Sequence, residues 1–234
     1  MLVVRIVCFG DSVTRGVSYV KGRLRILKEN YPASLQQHAP AEQSVEIFNK
    51  GVFNDNSDLL LQRVDQDVIA LNPEVVLIEI GGNDCNFRWD EVAQSPNEPH
   101  EAIVPLERYL YNVRQIVVRI QEAGAMPVLM TTLPLDPVRY YKHIESLHGN
   151  AIARWIALCG GIEHWHGWYN RALKQLVSSL QAVMSLDLRT KFKQAGDLKD
   201  LLSDDGIHPS ALGYQEISRI VAQALWPRQA SGNN

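Results

Sequence analysis

With 234 residues, 46% hydrophobic and 21% charged, the chain can build a large core without disulfide or metal staples. A formal charge of −3 gives no electrostatic pull toward nucleic acid or anionic lipid, and no run approaches the ~18 apolar residues of a membrane-spanning helix. The three cysteines, Cys8, Cys85 and Cys159, are dispersed and odd in number, which argues against a disulfide framework.

The first element is the apolar run at residues 2–9, which stops at Gly10-Asp11-Ser12. It is too short for a signal peptide and lacks a basic leader and a small-residue cleavage site. The expectation is therefore a mature chain that begins near Met1 and stays in the cytoplasm. Further apolar runs follow at 45–49, 75–80, 127–132 and 183–188. Runs such as VVLIEI show little polar alternation, which suits strands buried on both faces of a parallel sheet.

Helical patterns lie between the runs. Ser57 can cap a helix that reaches Leu71, with Leu60, Val64, Val68 and Leu71 on one face and Asn72-Pro73 as the stop. Pro105 opens a second helix that runs to Ala123 and ends at Gly124. A third spans 168–182, and the last spans 210–225 with Ser210 as its cap. This alternation predicts an α/β fold, a three-layer αβα sandwich around a flavodoxin-like, five-stranded parallel sheet in the order 2-1-3-4-5. One domain would cover residues 1–226, with 227–234 as a frayed tail. Segments 86–104 and 134–168 exceed what such a sandwich needs, and long insertions of this kind often serve as lids.

In an open parallel sheet, ligands bind beyond the carboxyl ends of the strands. There the sequence places Gly10-Asp11-Ser12, Asn49-Lys50-Gly51, Gly81-Gly82-Asn83-Asp84 and Thr131-Thr132-Leu133-Pro134. A loop reading SDDGIHP at 203–209 leads into the last helix. Acyl transfer needs a nucleophile, a base, a group that orients the base, and donors for an oxyanion. Ser12 can be the nucleophile, His208 the base and Asp205 its orienting acid. The side chain of Asn83 and the N–H groups of Ser12 and Gly51 can be the oxyanion donors. Asp11 and Asp84 read as residues that fix their own loops.

GDSV, the downstream Gly51, GGND and DGIHP occur in the order found in the SGNH (GDSL-type) hydrolases, and nearly the whole chain resembles that family. The resemblance implies a flavodoxin-like esterase fold and the roles just given to Ser12, Asp205, His208, Gly51 and Asn83. Two positions depart from the family pattern: Val13 stands where the family's name has Leu, and Asn54 stands where many members carry a further Gly. No G-x-S-x-G elbow of the commoner α/β-hydrolases is present, and neither is a G-x-G-x-x-G or G-x-x-x-x-G-K-[ST] phosphate loop.

The expected function is serine-dependent hydrolysis of short acyl esters, such as acetylated carbohydrates, without a cofactor. A lysophospholipase or an acyl-thioesterase is the alternative within the class. A carbohydrate-binding module that kept the fold is the alternative outside it. Arg88, Trp89, Tyr140, Tyr141, Trp165 and Trp168 can line a substrate cleft or simply pack a lid. His164 and His166 would share a side on a strand but point apart on a helix. No carboxylate or cysteine cluster completes a shell around them, so no metal is expected.

Overall fold

The computed structural model describes residues 3–227; Leu2 of the first expected strand and residues 228–234 of the expected tail lie outside the described residues. Five strands form one sheet: β1 (Val3–Gly10), β2 (Ser44–Gly51), β3 (Val75–Glu79), β4 (Met126–Met130) and β5 (Met184–Leu186). Their order is β2-β1-β3-β4-β5 and every pairing is parallel, as expected from the sequence.

The period of two along each strand divides the core between the faces. Val7 and Phe9 of β1, Val76 and Ile78 of β3 and Leu129 of β4 enter one cluster. Ile6, Cys8, Leu77, Val128 and Met130 enter the other. Helices α1 (Ser57–Asp67), α2 (Leu106–Glu122) and α4 (Ile162–Ser179) cover the first face, with α3 (Pro137–His148) inserted before α4. From α2, Tyr109, Val113, Ile116, Val117 and Ile120 are all fully buried, at the spacing of a single helical stripe. Helix α5 (Ala211–Leu225) covers the opposite face with Tyr214, Ile217, Ile220 and Val221. Each such side chain contributes about 1.5–3 kcal/mol on leaving water.

The insertions are more ordered than their composition suggests. Segment 134–168 contains α3, a second helix Ile152–Leu158, and the start of α4 at Ile162 rather than at Trp168. Asp136 accepts from the N–H groups of Val138 and Arg139, and Pro137 takes the first helical position, so α3 has a complete start signal. Phe87, Trp89 and Val92 from the other insertion pack against Leu135, Tyr140, Ile144, Ile152 and Ile162. The two insertions therefore share a small core of their own beside the sheet edge. An antiparallel hairpin, Val17–Val20 with Arg23–Ile26, also stands apart from the sheet. Among the described residues, no helix is long and apolar enough to cross a membrane.

Candidate active site

The edge of the sheet is shaped by residues that fix where each loop leaves it. Asp11 accepts from the Val13 N–H at 2.9 Å and so caps one helical turn, Ser12–Arg15, with Ser12 as its first residue. After β3, Gly81 has φ +135°, and a Cβ there would lie 2.8 Å from the Tyr109 hydroxyl. That hydroxyl donates to the Ile80 carbonyl at 3.0 Å. Asp84 turns inward and accepts from the Ser57 N–H at 2.9 Å. Asn83 remains at the rim, where one amide hydrogen goes to the Asp55 carbonyl at 2.7 Å and the other stays available. Behind this rim, Arg63 donates to the carbonyls of Gly10 and Lys50, both at 3.0 Å, and to the Asp55 carboxylate at 2.7 Å. One guanidinium thus ties the ends of β1 and β2 to the Asp55 turn.

Ser12 and His208, 196 positions apart in sequence, meet here, with 3.0 Å between the serine Oγ and the imidazole Nε2. The other ring nitrogen, Nδ1, lies 2.6 Å from Asp205 Oδ2. The remaining oxygen of Asp205 accepts from the N–H groups of Ile207 and His208 and from the Ser203 hydroxyl, at 3.2, 3.1 and 3.0 Å. Burial alone would raise the Asp205 carboxyl, but its hydrogen bond to His208, the histidine's charge and the two backbone donors hold it below the usual range. The loop that carries His208 is held from outside by α3. Gly206 has φ +76°, its carbonyl accepts from the Asp136 N–H at 2.8 Å, and Arg139 donates to the Leu202 carbonyl at 3.2 Å.

Beside this chain of hydrogen bonds lies a cavity of about 60 Å³. Ser12, Asn83 and His208 contribute to its lining, as do Asn86, Tyr140 and His166. Asp11 and Glu79 also reach it. Burial pushes the Asp11 carboxyl up to about 6 against the pull of the Val13 N–H and His208. It raises Glu79 well above the usual carboxylate range, with the neighbouring Asp11 adding to the effect. Burial pushes His166 down to about 3, helped by the charge of Arg189, so this imidazole is neutral at ordinary pH.

Several expectations need correction. The Gly51 N–H is not free to meet an oxyanion: it donates to Asn49 Oδ1 at 2.9 Å, and a Cβ on Gly51 would strike the backbone of Thr14 and Arg15. Its missing Cβ makes room for the Ser12–Arg15 turn rather than for a substrate oxygen. Of the six candidate cleft residues, only Tyr140 lines the cavity. Arg88 is exposed beside Glu91, and Tyr141 donates to Glu145 on its own helix. Trp165 donates to the Cys85 carbonyl at 2.6 Å, and Trp168 packs on Trp165 at the surface. Trp89 is buried with its indole N–H 2.8 Å from Asn86 Oδ1. His164 and His166 lie on helix α4, and only His166 meets the cavity. Asn86, Arg63 and Glu79 went unread in the sequence. Glu79, the last residue of β3, and Asn86, two residues past the GGND motif, carry a positional cue, whereas Arg63 lies mid-helix without one.

Fold and geometry together define a doubly wound α/β protein with a hydrogen-bonded serine, histidine and aspartate at the carboxyl edge of its sheet. The chain belongs to the GDSL-like Lipase/Acylhydrolase family, whose model matches residues 8–216. It is 27% identical over 235 residues to the GDSL esterase/lipase CPRD49 of Arabidopsis thaliana, across 95% of this chain and 80% of that one. It is 26% identical over 215 residues to an acetylxylan esterase of Geobacillus stearothermophilus, across 90% and 80% of the two chains. The crystal structure of an acetylxylan esterase from that organism superposes with a TM-score of 0.66 at 22% identity, covering 95% of this chain and 94% of the other. A lipase/acylhydrolase from Enterococcus faecalis gives a TM-score of 0.69 at 17% identity, covering 97% and 100%. The chain is accordingly a carboxylic ester hydrolase of the GDSL type.

Proposed function

We propose that this enzyme hydrolyses short acyl esters, acetylated carbohydrates first among them, through an acyl-enzyme on Ser12. His208 takes the Ser12 proton as Oγ attacks the acyl carbon, while Asp205 holds the imidazole in the required tautomer. The tetrahedral oxyanion is met by the Ser12 N–H and the available amide hydrogen of Asn83. The Asn54 N–H replaces Gly51 as the third donor. It makes no hydrogen bond among the described residues, and it lies in the turn that Asn83 grips through Asp55. Asn54 has φ +63°, the left-handed conformation that a glycine adopts without strain and that Asn tolerates. The alcohol then leaves with the proton from His208. Water repeats the cycle on the acyl-enzyme, releasing the acid and restoring the serine.

The observation that carries this reading is the unbroken Ser12–His208–Asp205 chain opening onto a cavity of only about 60 Å³. Pockets for drug-sized ligands run to roughly 300–1,000 Å³, so the space beside Ser12 suits an acetyl group better than a fatty chain. Two of the relatives are acetylxylan esterases, which agrees with a small acyl group on a sugar.

A fluorophosphonate probe tests the nucleophile and a nitrophenyl ester series tests the acyl length. The wild-type protein should be labelled at Ser12, and Ser12→Ala should lose both the label and hydrolysis of nitrophenyl acetate. Turnover should fall as the acyl chain lengthens. Faster hydrolysis of long chains transfers the reading to a lysophospholipase or thioesterase. Hydrolysis that survives Ser12→Ala removes the mechanism altogether.

A further inference from the structure

Three donors converge on one atom beside the cavity. Asn86 Oδ1 accepts from its neighbour's backbone, the Phe87 N–H, at 3.0 Å. It also accepts from the Trp89 indole N–H at 2.8 Å and from the Tyr140 hydroxyl at 2.9 Å. Only the oxygen end of a carboxamide can accept from an N–H of the backbone and an indole N–H, so the amide has one allowed orientation. Its NH2 group makes no hydrogen bond to protein among the described residues, and it is not among the buried atoms that lack one. Asn86 lines the cavity that Ser12, Asn83 and His208 also line. The backbone around it is equally fixed, since the Asn86 carbonyl accepts from the Ile103 N–H at 2.8 Å. Trp89 is buried and packs edge-on against Phe87 at 5.4 Å between ring centroids. The site therefore holds two amide hydrogens without a protein partner, on a carboxamide fixed by three donors, in the cavity that the proposed nucleophile also lines.

A short acyl group offers such a donor nothing to bind. Its single acceptor, the carbonyl oxygen, already faces Ser12 and Asn83 in the proposed mechanism. Any further acceptor must belong to the alcohol half of the ester. We propose that Asn86 donates from its side-chain nitrogen to an oxygen of the alcohol moiety, and so selects esters of polyhydroxylated alcohols over esters of simple alkanols. The assignment rests on the short-acyl esterase reading for its chemistry. Trp89 and Tyr140, which the sequence placed in a cleft or a lid, act as positioning residues that aim Asn86.

The test compares glycerol monoacetate with ethyl acetate, which share the acyl group and differ in hydroxyl content. Asn86→Asp keeps an oxygen for all three donors and exchanges the NH2 for a second oxygen. The ratio of kcat/KM values for the two esters should fall by about tenfold or more, mostly through KM for the glycerol ester. Ethyl acetate should respond less. Tyr140→Phe removes one of the three anchors and should give a smaller fall in the same ratio, while near-ultraviolet circular dichroism reports whether the fold is kept.

A binding arm separates this inference from the reading beneath it. Calorimetric titration of Ser12→Ala with glycerol monoacetate needs no turnover, and adding Asn86→Asp should weaken binding by about tenfold. Equal affinities in the single and double variants overturn the role of Asn86, whether or not the wild type is an active esterase. An Asn86-dependent affinity in a wild type that hydrolyses neither ester supports the contact and removes the esterase reading instead.

Discussion

At the scale of single residues, the division of labour between Asn83 and Asn86 follows from their partners. Asn83 uses one amide hydrogen on the Asp55 carbonyl and keeps the other for the proposed oxyanion. Asn83→Ala should therefore lower kcat by about 100–1000-fold, roughly 2.7–4 kcal/mol of transition-state stabilisation, with a small change in KM. Steady-state kinetics on nitrophenyl acetate measures it, and a loss confined to KM would assign Asn83 to ground-state binding. The serine, histidine and aspartate were legible because each sits in a short motif, the serine at the end of β1 and the other two in the loop that leads into α5. The Asp205–His208 spacing lets one loop turn back on itself. Gly51 misled because a glycine after a strand signals close approach without saying what approaches. Here it is the Ser12–Arg15 turn. Asn86 was silent because its role depends on Phe87, Trp89 and Tyr140, and the last lies 54 positions away.

At the scale of elements, the sheet was legible and its additions were not. A continuous apolar run announces a strand buried on both faces, and five of them with helical stripes between leave few topologies. The hairpin gave no such signal. Its turn residues, Lys21 and Gly22, both have positive φ, but the usual cue for that turn is Asn-Gly or Asp-Gly. Its strands also leave Val20, Leu24 and Ile26 exposed, so its apolar residues do not alternate with an inward face. Helix α3 was hidden for a different reason. Only Tyr140 and Ile144 of its twelve residues are buried, too few for a readable stripe, and its Asp136-Pro137 start resembles a turn. That start now has a further role, because Asp136 both caps α3 and donates its N–H to Gly206 in the loop of His208. Asp136→Ala should destabilise the protein by about 0.5–2 kcal/mol, the ordinary cost of a lost cap. Denaturant midpoints measure the stability. A parallel loss of turnover on nitrophenyl acetate is expected if α3 steadies the loop, and unchanged turnover would confine Asp136 to capping.

At the scale of the whole molecule, the site is built over buried carboxyls, and they impose a pH dependence on stability. Asp84 is fully buried, with one oxygen on the Ser57 N–H and the other without a partner. Burial pushes its pKa up to about 7, against the opposing hydrogen bonds from Ser57. In the unfolded chain an Asp titrates near ~3.9. Between those values the folded protein binds the proton and the unfolded chain has released it, so stability falls as pH rises through the window. Below ~3.9 both states are protonated and the full contribution is present. Asp11, raised to about 6 by burial, acts in the same direction. His166, held near 3, acts oppositely: the unfolded imidazole gains a proton below ~6.5 and the folded one does not, so stability there falls as pH drops. Total stability against pH therefore mixes opposing slopes, and a difference between two proteins isolates one group. Asp84→Asn keeps an acceptor for Ser57 and cannot ionise. Its stability relative to wild type should improve between pH 4.5 and pH 8 by an amount on the order of 1–3 kcal/mol. Chemical denaturation of both proteins at the two pH values measures the difference, to which His166 contributes equally in each protein. A gap that stays constant across the range means that Asp84 titrates as it does in the unfolded chain. The loop that presents Asn83 would then rest on an ionised carboxylate rather than on a buried acid.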